Sequence, residues 1–133
     1  DMAMTKGSKV DRDELPRTVA RSSAKARRTF AKAHDSAAEQ YGEGRRAHQT
    51  AYSALKHTHE RVGDRWVAKE ENGPSDARAA GDPGAPTHGG VDANASKQHL
   101  YDVAKRLQIR GRSAMSKREL VTAIEKENAR RSR

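Results

Sequence analysis

The sequence predicts a mainly α chain of two small modules joined by a flexible linker, and three observations predict it. Apolar residues recur at helical spacing in two separate stretches. Between these stretches, residues 71–95 hold five of the ten glycines and three of the four prolines. Only 33% of the 133 residues are hydrophobic and 34% are charged, too little apolar surface for one large core.

Residues 1–12 read as a disordered N-terminus, and the opening residues lack the apolar core of a secretory signal. The first module occupies residues 13–70. Leu15-Pro16 opens it, because proline is favoured in a first helical turn. Ala26, Phe30, Ala33, Ala37 and Tyr41 then share a helical stripe, which Gly42 and Gly44 end. His48, Tyr52, Leu55, His59 and Val62 form the stripe of a second helix. Gly63-Asp64 is a turn, and Arg65-Trp66-Val67 is a short strand or an extended cover. Trp66, the lone tryptophan, closes a thin core that also takes Phe30, Tyr41 and Tyr52.

Residues 71–95 show no helical or strand period and read as a flexible Gly/Pro linker, spanning roughly 25–30 Å as a coil. Residues 96–131 form the second module. Leu100, Val103, Ala104 and Leu107 fall on one helix face. After the turn Ile109–Met115, Ser116 and Glu119 have capping-box spacing, and Met115 and Leu120 the spacing of a hydrophobic staple. Gly111 stands where a tight connection needs positive φ or close packing. Residues 132–133 end the chain as a basic tail.

The net charge is +9 with a pI near 10.2. Lys/Arg number 15 against 10 Asp/Glu over residues 1–70, 1 against 4 over 71–95, and 11 against 4 over 96–133. Charge density is therefore highest on the C-terminal module, which suits a polyanion bound with counterion release. The candidate contacts are Lys105, Arg106, Arg110, Arg112, Lys117 and Arg118, with Arg130 and Arg131 in the frayed C-terminal turn. Lys117 and Arg118 also sit at a helix N-terminus, whose N–H groups suit a phosphate. The competing role for Arg112 is to cap the preceding helix and brace the turn.

Of five aromatic residues, only Tyr101 lies in the basic module, beside its apolar stripe. A stacking platform for single strands needs several exposed rings, so duplex binding through phosphates fits better. The chain has no cysteine, which excludes disulfides and thiolate metal sites and fits a reducing cytoplasm. His57 and His59 point about 200° apart on a helix and do not share a metal easily. No metal or cofactor is expected. No glycine-rich phosphate loop, nucleophile motif or paired carboxylate is present, and no enzyme activity is expected. No apolar run approaches the roughly 18 residues of a membrane span.

The run from Leu100 to Leu120, with the pattern L-Y-x-x-A-K-x-L-x-I-x-G-R-S-x-M-x-K-x-E-L, resembles the Rho termination factor N-terminal domain. That resemblance covers residues 96–131. It implies a SAP-like fold of helix, extended turn and helix that binds nucleic acid or accompanies a domain that does. Leu15-Pro16, Thr29–Tyr41, Ala47-His48, Ala51–Lys56 and Arg65-Trp66 resemble the ChaB family over residues 13–70. It implies a small, mainly helical domain with a minor β element, under the label of putative cation transport regulator. His34 and Ala38 stand where that family has bulkier aromatics, and His59 where it has tyrosine.

The expected function is that of a non-enzymatic accessory protein binding duplex DNA through its backbone. Its expected place is the bacterial cytoplasm, in association with the nucleoid. Two alternatives accompany this reading. One is a ChaB-type regulator that binds a protein partner through an apolar groove near Tyr52 and Trp66. The other is RNA binding.

Overall fold

The computed structural model describes residues 3–6, 9–79, 81 and 87–132. It is mainly helical, with small two-stranded hairpins, and divides into two compact units. The first unit takes residues up to 59 together with 65–72, and the second takes residues 60–64 together with 73–133.

The first unit opens with a hairpin rather than a disordered N-terminus. Strands β1 (Thr5–Lys6) and β2 (Lys9–Val10) pair antiparallel, with Thr5 opposite Val10. Met4 is buried, and the partner that orders this segment lies 30 residues away. Asp35 accepts from the backbone N–H of Met4 at 2.9 Å and of Thr5 at 2.8 Å, and from the Thr5 hydroxyl. Burial pulls the Asp35 pKa up, but these bonds and one from the His34 ring prevail and hold it below its ordinary value.

A 3-10 turn (Arg12–Glu14) leads to Pro16, the N-cap of α1 (Arg17–Ala20). Helix α2 (Ala24–Tyr41) starts where the Ser23 hydroxyl accepts from Ala26 N–H at 3.2 Å, and ends at Gly42 with φ +86°. It packs on α3 (Arg45–Thr58), and the alanines Ala26 and Ala31 of the one helix and Ala47 and Ala51 of the other are buried. Phe30 fills the centre and meets Tyr52 edge-on at 4.9 Å. Trp66 is buried, donating its indole N–H to Thr18 at 3.2 Å.

Two expectations for the first module of the sequence are corrected. His59 and Val62 lie on strand β3 (His59–Val62), not on the second helix, which stops at Thr58. The Thr58 hydroxyl bonds the Leu55 carbonyl and the His59 ring, and His59 takes extended backbone. Tyr41 is 45% exposed rather than in the core, with the Arg46 guanidinium 3.6 Å above its ring. Arg65–Ala68 forms strand β4, paired with β3, as the short-strand reading anticipated.

The second unit is built on α4 (Lys97–Arg106) and α5 (Lys117–Arg131), which pack together. Leu100, Val103, Ala104, Leu107, Leu120, Val121 and Ile124 are all buried. The expected linker is only partly visible as such, since residues 80 and 82–86 lie outside the described residues. Its described part is largely exposed, as at Glu71, Asn72, Pro74 and residues 77–79, with a few packed residues. Ser75, Asp76 and Val91 are buried, and Asn94 bonds back to Pro74 and Ser75.

Residues 60–64 complete this unit. Arg61 N–H donates to the Gly90 carbonyl at 2.9 Å. Buried Asn128 accepts from Gly63 N–H at 2.6 Å and donates to the Arg61 carbonyl at 3.0 Å. The buried Glu60 carboxylate faces His99 Nε2 at 2.9 Å.

Candidate nucleic-acid interface

The connection between α4 and α5 positions the basic residues, and its geometry follows from its caps. Helix α4 ends in a Schellman motif. Ile109 N–H returns to the Ala104 carbonyl and Gln108 N–H to the Lys105 carbonyl, with Gln108 at φ +58°. Gly111 has φ +76° and opens a 3-10 turn (Arg112–Ala114). The capping box then starts α5. Glu119 N–H donates to the Ser116 hydroxyl at 3.2 Å, and Ser116 N–H to the Glu119 carboxylate at 2.9 Å. Hydrogen bonding of the Ser116 backbone N–H and of its hydroxyl to the carboxylate holds the Glu119 pKa below its ordinary value.

On this frame the eight candidate cations separate into two groups. Lys105 and Arg106 occupy the last turn of α4, Arg110 the turn, and Lys117 and Arg118 the first turn of α5. All five are exposed. None has an ion pair or side-chain hydrogen bond with another described residue. Residues 105–118 contain six Lys/Arg and no Asp/Glu, so no acid of this stretch neutralises them.

The other three cations are engaged. Arg112 donates to the Ile109 carbonyl at 3.0 Å and lies 5.7 Å from the Tyr101 ring, so it braces the turn. Arg130 and Arg131 both bind Glu127, whose pKa they lower to about 2. Arg131 also donates to the Leu107 carbonyl at 2.8 Å, tying the end of α5 to the end of α4. The expectation of phosphate-ready amides at the start of α5 is also narrowed. Glu119 already places a carboxylate there, which leaves the Lys117 and Arg118 side chains as what this end offers an anion.

Residues 97–133 match the Rho termination factor N-terminal domain, and residues 15–69 match ChaB. The chain carries a ChaB domain followed by a Rho N-terminal domain. Neither a curated protein nor a solved structure matches it. A Rho N-terminal domain points to nucleic-acid binding. The five exposed candidate cations all lie inside that match, and the hairpin at Thr5–Val10 lies ahead of the ChaB match. The ChaB match includes residues 60–64, which pack with the second unit.

Sequence reasoning missed Asn128 and the Glu60–His99 pair. A polar residue closing the apolar series Leu120, Val121, Ile124 was the available signal for Asn128. Among the described residues, no three His, Asp or Glu side chains are placed to hold one metal ion, and no helix is long and apolar enough to cross a membrane.

Proposed function

We propose that this chain is a non-enzymatic accessory protein that binds duplex DNA, mostly through the phosphate backbone, and so associates with the nucleoid. The observation that carries this reading is the set of five exposed, unpaired cations at Lys105, Arg106, Arg110, Lys117 and Arg118, mounted on a capped turn within the Rho N-terminal domain. Side chains without partners neutralise phosphates without first breaking an ion pair. Duplex is favoured over single strands because Tyr101, the aromatic of this domain, is half-buried beside Arg112.

Contact with four to six phosphates gives a slope of log K against log salt near −4 to −5. Titration of labelled duplex at several salt concentrations measures it. Arg110→Ala, Lys117→Ala and Arg118→Ala together are expected to weaken binding across sequences and to reduce the slope by about 3. Loss of sequence preference at unchanged affinity overturns the backbone reading. Competition among duplex DNA, duplex RNA and single strands decides the ligand, and preference for RNA overturns the DNA assignment. The groove required for a protein-binding regulator finds no support: Trp66 is buried, Tyr52 packs on the core, and Tyr41 is the large apolar residue exposed among those described.

A further inference from the structure

Helix α2 of the ChaB domain has two faces of opposite character. Ala26, Phe30, Ala31, His34 and Ala37 are buried. Lys25, Arg28 and Lys32, at i, i+3 and i+7, are exposed on the side away from them. None of the three has a hydrogen bond or ion pair from its side chain to another described residue. An exposed helix face ordinarily interleaves acids with bases one turn apart, since like charges at that spacing repel. Here residues 15–34 contain six Lys/Arg and no Asp/Glu. The next acid, Asp35, is turned inward onto Met4, Thr5 and His34. Asp13 and Glu14 precede the stretch in the 3-10 turn, and Asp11 is paired with Lys6 at 3.1 Å.

Like charges also crowd Arg27, next to Arg28 in the chain and half-buried. Burial lowers its pKa, and the neighbouring Arg12 and Arg28 guanidiniums lower it further. Its own Nη1 is held by the Ser22 carbonyl at 2.6 Å, so it stays among like charges without an acid to compensate. A polyanion relieves that repulsion, and discrete anions relieve it less, because releasing a condensed counterion atmosphere adds a favourable term. The stripe from Lys25 to Lys32 covers about 10 Å along the helix axis, at 1.5 Å per residue. That is the axial rise of about three phosphate-to-phosphate steps on one DNA strand.

We propose that the Lys25–Arg28–Lys32 face of the ChaB domain is a second surface for the phosphate backbone of duplex DNA. This rests on the DNA reading of the chain but not on the residues of the Rho N-terminal domain. The test uses the full chain, a labelled duplex of about 20 base pairs, and two charge-removing variants: K25Q/R28Q/K32Q and R110Q/K117Q/R118Q. Each alters exposed side chains only, and unchanged circular dichroism and Trp66 fluorescence confirm folding.

The first variant is expected to reduce the salt slope by about 2 to 3, as three lost phosphate contacts require. An unchanged slope in the first variant, with a reduced slope in the second, overturns this inference and leaves the Rho N-terminal reading standing. The reverse pattern removes that reading and keeps the inference. Absence of duplex binding by the intact chain at low salt overturns both. If the first variant loses binding to phosphatidylserine vesicles while its DNA binding is untouched, the face belongs to a lipid surface and the inference falls.

Discussion

His59 shows how one residue sets the acid response of the first unit. It is 1% exposed, its Nδ1 bonds the Thr58 hydroxyl at 2.7 Å, and its Nε2 has no hydrogen-bond partner among the described residues. Burial, with Lys25 nearby, holds its pKa below the ordinary 6.5, so the folded unit keeps it neutral. The unfolded chain therefore takes up a proton first as pH falls, and stability is lost from about pH 6.5 down through the lower folded value. Asp35 acts in the same direction further down: its lowered pKa means that stability is lost as pH falls below about 3.8 towards its folded value. Trp66 is the single tryptophan and lies in the first unit, so its fluorescence reports that unit. The urea midpoint read by Trp66 is expected to fall between pH 7.5 and 5.5, and to fall less in His59→Gln. Equal pH dependence in both proteins shows that His59 is not held neutral.

The elements differ in how openly the sequence displays them. Helix α4 was fully legible, because Leu100, Val103, Ala104 and Leu107 contact a partner helix that follows within a few residues. The capping box was legible for the same reason, since both of its bonds are local. Strand β3 was not. His48, Tyr52, Leu55, His59 and Val62 continue one helical stripe, no glycine or proline interrupts it, and periodicity alone does not mark where a helix stops. The N-terminal hairpin was hidden because its ordering partner, Asp35, is distant in sequence. Of the candidate cations, existing side-chain bonds separate five from three, Arg130 being exposed but held by Glu127, and the bonds of Arg112 and Arg131 to main-chain carbonyls carry no sequence signature. One such hidden feature is testable at the end of α4. Gln108 holds a left-handed conformation that glycine adopts without strain. Gln108→Gly is expected to stabilise the second unit by about 0.5–1 kcal/mol, the usual gain at a left-handed cap after the unfolded-state entropy of glycine is counted. Thermal unfolding followed by circular dichroism measures it, and a lower midpoint counts against the Schellman assignment.

At the scale of the whole molecule, the limits of the matched families and of the compact units do not coincide. ChaB is matched over residues 15–69, yet residues 60–64 are enclosed by the second unit through Gly90, His99 and Asn128. Composition pointed to a division at the Gly/Pro-rich stretch, and within that stretch Ser75, Asp76 and Val91 are buried. Polar and small residues pack when their hydrogen bonds are met, as those of Asn94 are by Pro74 and Ser75. Asn128 gives this arrangement a kinetic signature in isotope exchange. The Gly63 amide is bonded to a buried side chain of α5, so its deuterium uptake is governed by opening of that helix and not by fraying of its own hairpin. Asn128→Ala should therefore accelerate exchange at Gly63, while the amides of α2 keep their rates. Gly63 exchange that follows α2 instead would place the segment with the first cooperative unit.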